Sequence, residues 1–373
     1  MAVGAIVLAV ALLAGLVWAG GGDGGSAGGG SGLGGRGVEA VLRGELVSET
    51  GAVVAVQDPP ASYHVVYASE SYLDGETTAF TEDLTVRRPF EGRVVGLSGA
   101  PPGGQVEYEL VSELGLVADV TDPDDTIVLQ QPPTLAAGDV RLDASLADLV
   151  DRGLFQVRER RRVLGRECTV YRSGASPDSE VLAAPTAEEH TDVCVDDAGL
   201  VLEELSVLDG EVVRRSIATA VELGPSLAEG TFRVEGEPLP GEEGGYAVTP
   251  LDAAAPPGSW RFAVEPEGFA LQGRYAVREF SGDSDDAVET TVDVWVRGVD
   301  ALFLEQGPGE GDDPAGVAGA AISSVEGLGE VVTWPGATGN VLLARPDDGG
   351  FLQLSGSLPL ADLLALAATL TRA

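Results

Sequence analysis

Residues 161–224 constrain this chain more than any other stretch. They read RRVLGRECTVYRSG, then a small-residue and acidic insertion, then HTDVCVDDAGLVLEELSVLDGEVVRRSIATAVELG. Four β-rich runs are separated by Asp197-Ala198-Gly199 before Leu200 and by Asp209-Gly210 before Glu211. Asp-Gly between two apolar runs suits a two-residue hairpin, because glycine takes the positive φ that a primed turn demands. The last run alternates, with Ile217, Thr219, Val221 and Leu223 expected on one face and Ser216, Ala218, Ala220 and Glu222 on the other. An antiparallel meander of long strands satisfies this pattern. Its first two strands carry the only two cysteines, Cys168 and Cys194.

The chain has 373 residues, enough for two domains with separate cores. All 22 basic residues are arginine, against 60 acids, for a formal charge of -38. Phosphate backbones would repel such a surface, so the reading includes no nucleic-acid partner. The acids are spread along the sequence, as solubility, a salty habitat or GC-rich coding would spread them.

Residues 2–19 form an unbroken apolar or small-residue run ending LVWA. As a helix it would be roughly 27 Å long, just sufficient for a bilayer core. Val17-Trp18-Ala19 also fits a small-x-small cleavage site, so residues 1–19 read as a transmembrane anchor or a signal peptide. Trp18 suits an interfacial anchor. Both alternatives put the remainder outside the cytoplasm, membrane-anchored or secreted. Residues 20–37 are a Gly/Ser tether that cannot bury a core. Its G-x-S-x-G and G-x-G-x-x-G matches neither follow a strand nor open a helix, so they are composition noise.

The first domain is expected over 38–236. Residues 38–47 suit a helix or a strand. Residues 63–67, 77–86, 92–97, 106–117 in part and 126–131 are β-like. A helix is expected over 145–152, with Leu142, Leu146, Leu149 and Val150 on one side and Gly153 closing it. Residues 237–257 read as a Pro/Gly/acid-rich linker. A smaller domain over 258–373 has strands around 260–264, where Trp260, Phe262 and Val264 alternate, and around 288–297, 301–306, 330–334, 341–344 and 351–354. It closes on a helix capped by Ser357, with Pro359 in its first turn and Leu360, Leu363, Leu364, Ala367 and Leu370 in a stripe. The fold class is α+β: a curved antiparallel sheet with a helical cover, followed by a smaller α+β domain.

No catalytic constellation emerges. His64 and His190 lack metal-ligand spacing and read as ordinary surface or sheet histidines. The acid groups Asp122/Asp124/Asp125 and Asp283/Asp285/Asp286 lack the glycine and distal glutamate of a calcium loop. Cys168 and Cys194 have no base at motif spacing, so a thiol nucleophile is not expected. The chain is read as a non-enzyme without cofactor, metal or catalytic residues. In an oxidising compartment, two cysteines on consecutive strands are expected to form a Cys168–Cys194 disulfide.

The segment containing Val163, Gly165, Arg166, Val170 and Tyr171, then Val195, Asp196, Gly199, Leu200, Leu202, Glu204, Asp209 and Gly210, resembles the lipoprotein-carrier fold of LolA-like proteins. The same fold forms the N-terminal domain of RseB-type sigma-E regulators. The turn before Gly199 is one residue shorter than the family pattern. Further on, Trp260, Pro266, Gly268, Phe269 and Leu271 resemble the opening of the smaller RseB domain, and residues 298–306 resemble its strand pair. Leu354, Gly356, Pro359, Leu363 and Ala367 resemble its end. The resemblance implies a LolA-like half-barrel with an apolar groove that senses lipid or lipoprotein. The implied partner is the extracytoplasmic domain of a membrane anti-sigma factor. The alternative is a LolA-like carrier of lipid or acylated lipoprotein. Leu142, Leu146, Leu149 and Val150 are the candidate groove lid.

If the two domains are separate folding units, limited proteolysis should cut first within 237–257 and leave two resistant fragments. One resistant fragment with no cut there would show a single unit.

Overall fold

Among the described residues, twelve strands hydrogen-bond into one open antiparallel sheet, and the chain enters it three times. The computed structural model describes residues 44–373 apart from 74–75, 99–104, 123–125, 136–141, 175–184, 237, 239–244, 253, 255–257, 281–287, 310, 312–316, 318, 337–338 and 347–348. Residues 1–19, the tether, and the acid runs at Asp124, Asp125, Asp283, Asp285 and Asp286 lie outside the described residues. No described helix is long and apolar enough to cross a membrane.

β1 (Glu45–Ser48) lies at one edge of the large sheet. Then β2 (Ser62–Leu73), β3 (Glu76–Arg87), β4 (Glu91–Ser98), β5 (Val106–Glu113), β6 (Leu116–Asp119) and β7 (Ile127–Gln130) run outward from its middle to the other edge. Helix α1 (Leu142–Asp151) follows, three residues earlier at its start than the sequence pattern placed it. The chain then returns beside β1 and runs inward through β8 (Phe155–Val163), β9 (Arg166–Ser173), β10 (His190–Asp196), β11 (Val201–Leu208) and β12 (Glu211–Leu223). β12 pairs with β2 and merges the two meanders.

The hairpins obey local chemistry. Leu164 and Gly165 both take positive φ between β8 and β9, and Asp209 (φ 52°) and Gly210 (φ 76°) do so between β11 and β12, as a primed turn requires. At the β10–β11 corner the Asp196 carboxylate accepts from the Ala198 and Leu200 amides at 3.0 and 2.9 Å, and from Arg166 Nε at 2.6 Å.

The alternation expected along β12 does not persist. A bulge between Ala218 and Ala220 adds one residue, so Ser216 and Ala218 face the same side as Val221 and Leu223. Bulges also interrupt β8–β9, β10–β11 and β11–β12. Such irregularities bend strands and raise their twist, and another lies between β4 and β5.

The second sheet has eight strands: β13 (Tyr246–Pro250), β15 (Ala270–Glu279), β16 (Val288–Arg297), β17 (Asp300–Pro308), β18 (Ala321–Val325), β19 (Gly329–Gly336), β20 (Gly339–Ala344) and β21 (Gly350–Gly356). β14 (Trp260–Phe262) pairs separately with β22 (Leu370–Arg372). β13 falls inside the stretch read as a linker. It is an edge strand, where Pro250 withholds no ladder bond that the sheet needs.

The last helix, α2, spans Leu360–Ala367 and buries Leu363 and Ala367. Two expectations about it fail. Leu370 belongs to β22, and Ser357 does not cap the helix: its Oγ accepts from the Ala301 amide at 3.1 Å. Pro359 occupies the N-cap without a side-chain cap of its own.

One face of the second sheet packs Leu302, Leu304, Trp295 and Leu354 with Leu363 and Ala367 of α2. The other packs Val277, Val292, Val294 and Phe303 against Phe90 of the large-sheet unit, with Leu114 alongside. Phe90 and Phe303 have ring centroids 6.2 Å apart. The two sheets therefore share an apolar cluster.

Cys168 on β9 and Cys194 on β10 are joined as a disulfide and are buried in the large sheet's core. Replacing both with serine should lower unfolding free energy by about 3 kcal/mol in a denaturant titration, from the loop closure lost. Peptide mapping without reductant should recover the two cysteines in one cross-linked peptide; recovery of both as free thiols would contradict the bond.

Candidate functional site

Direct pairing carries one row of side chains across six strands. Val157 pairs with Tyr171, Tyr171 with Val193, Val193 with Glu204, Glu204 with Ser216, and Ser216 with Ser69. Directly paired residues share a face, so a single surface passes from apolar on β8–β10 to polar on β11, β12 and β2.

The apolar end is covered. Leu146 and Leu149 of α1 pack with Leu154, Phe155, Tyr171, Val193 and Val195, and Val150 and Val54 pack against the same cluster. Leu146 is 1% exposed and Leu149 0%. Two chain crossings meet here, because the Val54 amide also donates to Tyr171 Oη at 2.6 Å. Tyr171 is thus pinned under the β1–β2 connection and beside α1. The packing under α1 is closed. Of the four residues read as a lid, Leu146, Leu149 and Val150 come together on this cluster, and Leu142 is the first residue of α1. A separate concavity of about 680 Å³ lies between residues 52–55 and the β8–β9 hairpin, bordered by Arg160, Arg166 and Glu167.

The polar end is a buried network. The Glu82 carboxylate accepts from Ser69 Oγ at 3.0 Å, Tyr108 Oη at 3.0 Å and Arg214 at 2.7 Å. Ser69 and Ser216 share a 2.8 Å hydrogen bond. Tyr108 reaches Glu82 by lying over Gly96, where a Cβ would meet its ring at 2.1 Å. A second carboxylate, Glu204, stands 3.9 Å from Arg214. One guanidinium thus faces two acids in a poorly hydrated place. Burial raises the Glu204 pKa, Arg214 opposes the shift and Glu82 adds to it. Burial, with Glu82 adding to it, also pushes the Tyr108 hydroxyl well above the ordinary tyrosine value, so it stays a donor.

Sequence reading missed this network, though a signal was there. Ser69 continues the core-facing alternation of Tyr63, Val65 and Tyr67, and Glu82 that of Leu84 and Val86. An acid at a core position of a strand asks for a partner. Arg214 was illegible because it belongs to the bulged ladder.

The outer side of α1 is also engaged. Asp148 accepts from Asn340 Nδ2 at 2.9 Å and from the Leu360 amide at 3.1 Å, giving α2 the N-terminal acceptor that Ser357 does not supply. Arg152 donates to the Gly319 carbonyl at 2.7 Å. Two buried polar atoms at this joint, Arg152 Nη2 and Asn340 Oδ1, have no hydrogen-bond partner among the described residues. His64 pairs with Asp83 at 2.9 Å, and His190 is buried on β10. Among the described residues, no group of three His, Cys, Asp or Glu is placed to hold a metal ion.

No family model matches the sequence, and no curated protein matches it. Among solved structures, the chain is similar to MucB in the Pseudomonas aeruginosa MucA/MucB complex, at 18% identity over 83% of this chain and 93% of that one, with a TM-score of 0.29. It is similar to MucB alone at 17% identity over 86% and 95%, with a TM-score of 0.30. A putative outer membrane lipoprotein-sorting protein domain from Vibrio parahaemolyticus is 10% identical over 46% of this chain and 88% of that one, with a TM-score of 0.20. The resemblance read from the sequence rests on motifs in both halves of the chain, not on these superpositions. Gly165, Arg166, Asp196, Gly199, Asp209 and Gly210 are the residues that make the turns of the meander.

Replacing Glu204 with glutamine tests the network. A carboxyl whose folded pKa is raised contributes stability that is fully present below the ordinary 4.5 and is lost as pH rises through the folded value. The Glu204→Gln protein should therefore melt higher than the parent at pH 8 and together with it at pH 4. Equal melting temperatures at pH 8 would contradict burial as the dominant cause.

Proposed function

We propose that this chain is an extracytoplasmic, non-enzymatic binding and regulatory protein of the RseB-like type. Its large sheet takes an amphipathic, acyl-bearing ligand, and it contacts the extracytoplasmic domain of a membrane anti-sigma factor. The observation that carries this reading is the row from Val157 to Ser69. Its apolar end lies under one short helix and its polar end beside Glu82 and Arg214, which matches a molecule with an acyl chain and a polar head. An acyl chain gains about 0.8 kcal/mol per CH₂ buried, so a long chain could displace Leu146 and Leu149 from Tyr171 and Val193.

The resemblance of the meander and of the C-terminal segment to RseB-type regulators, in that order along the chain, supports the choice of partner. The carrier alternative shares the sheet but has no use for a second unit docked on the cover helix. A complex between the purified chain and the extracytoplasmic region of an anti-sigma factor encoded beside it would favour the regulator. Transfer of acylated lipoprotein to a membrane acceptor would favour the carrier.

The ligand half of the proposal is tested with 11-(dansylamino)undecanoic acid and the full chain. Saturable binding at one site is expected. Leu146→Ser and Leu149→Ser, each assayed well below its own melting temperature, should tighten it about tenfold, because each removes apolar contact that the chain must break to lift α1. No saturable binding to the parent protein, or binding weakened in both variants, would refute it.

A further inference from the structure

The cover helix belongs to two cores at once. Its inward side supplies Leu146 and Leu149 to the large sheet. Its outward side supplies Asp148 to the start of α2 and to Asn340, and Arg152 follows it onto Gly319. α2 in turn packs Leu363 and Ala367 on the second sheet. Because the packing beneath α1 is closed, a ligand entering there has to displace the helix, and displacing the helix withdraws the carboxylate from α2. Next to it, Leu154 touches the second unit directly: a Cβ at Gly319 would meet its Cδ1 at 2.6 Å.

We infer that α1 is a latch that couples the binding face of the large sheet to the second unit, with Asp148 and Asn340 as its catch. The site under α1 rests on the function proposed above; the coupling itself rests on the contacts of α1. Two features make this joint a separable one. The helix meets the second unit through a few directed polar contacts, whereas the main contact between the units, around Phe90 and Phe303, lies elsewhere. Among the described residues, the joint also leaves Arg152 Nη2 and Asn340 Oδ1 buried without hydrogen-bond partners, so opening it lets water satisfy groups that closure does not. Release of α1 therefore need not dismantle either sheet. Its consequence is reciprocal: whatever loosens the catch from the second unit makes α1 easier to lift, and whatever lifts α1 frees the first turn of α2.

Hydrogen exchange read by mass spectrometry on the full chain tests the coupling without any ligand. Asn340 lies on β20 of the second unit, where its Nδ2 donates to Asp148 and to the Leu358 carbonyl. Asn340→Ala should speed exchange in α1 about tenfold while peptides of β15–β17 keep their protection, which shows that the second sheet is intact. Asp148→Asn, made on the opposite side of the catch, should speed exchange at the first turn of α2. If α1 exchanges at the parent rate in Asn340→Ala, the contact is a local cap and the latch is wrong. If Asn340→Ala loosens the second sheet as well, Asp148→Asn decides: exchange that rises only in α1 overturns the coupling, and exchange that rises at both ends upholds it. The same dansyl undecanoic acid then separates the two claims. Binding that tightens in Asn340→Ala by the factor seen in exchange supports both. Absence of binding to every protein removes the acyl ligand and leaves the coupling to the exchange result.

Discussion

The ladder between β12 and β2 is the constraint on which the rest of the large unit depends. It turns two meanders of opposite travel into one sheet, and without it each would keep a long, unpaired edge strand. It also sets the face that carries the row from Val157 to Ser69. Arg214 and Ser216 sit on one side of the bulge, and they meet Glu82 and Ser69 only in the observed register. A one-residue slip would turn the guanidinium to the opposite face and strand Glu82 in the core. The buried ion pair therefore works less as a source of stability than as a check on register, a use to which such pairs are suited.

Once that sheet exists, the positions of its connections follow. β1 and β8 are neighbours at one edge, whereas β2 lies in the middle and β7 at the far edge, so both the β1–β2 and β7–β8 connections must travel across strands. They converge at Tyr171, which offers its ring to Phe155 and its hydroxyl to Val54. An aromatic residue with a polar tip is the residue type that can receive both an apolar helix and a bare backbone amide. The second sheet meets the large unit through the apolar cluster around Phe90, through the Val248 amide, which donates to Gln130 Oε1 at 2.8 Å, and through the polar contacts of α1.

Features encoded within a few residues were legible in the sequence. The Asp209-Gly210 turn, the β-runs of the meander and the existence of the α1 and α2 helices all have short-range causes, and the structure contains each of them. Features that depend on distant pairing were not. The bulge in β12 reverses an alternation that reads cleanly as letters. Tyr246–Pro250 forms a strand because β15 is there to receive it, although its neighbourhood has linker composition. Ser357 has the identity of a cap, yet a closer amide, that of Ala301, claims it, and the acceptor for α2 comes from a different helix. Of the candidate site, the leucines of α1 could be named from their spacing. Glu82, Arg214 and Tyr108 come from strands far apart in sequence, and only the fold assembles them.

The catch at Asp148 also has an order in time. Its partners lie 192 and 212 residues downstream, so during vectorial synthesis the large sheet can be complete while the cover helix still presents a solvated carboxylate. Until Asn340 and Leu360 have emerged, α1 is held from one side only. The nascent protein thus passes through a stage in which the face under α1 is less firmly covered than in the folded molecule, and the arrival of Asn340 and α2 is the event that ends it.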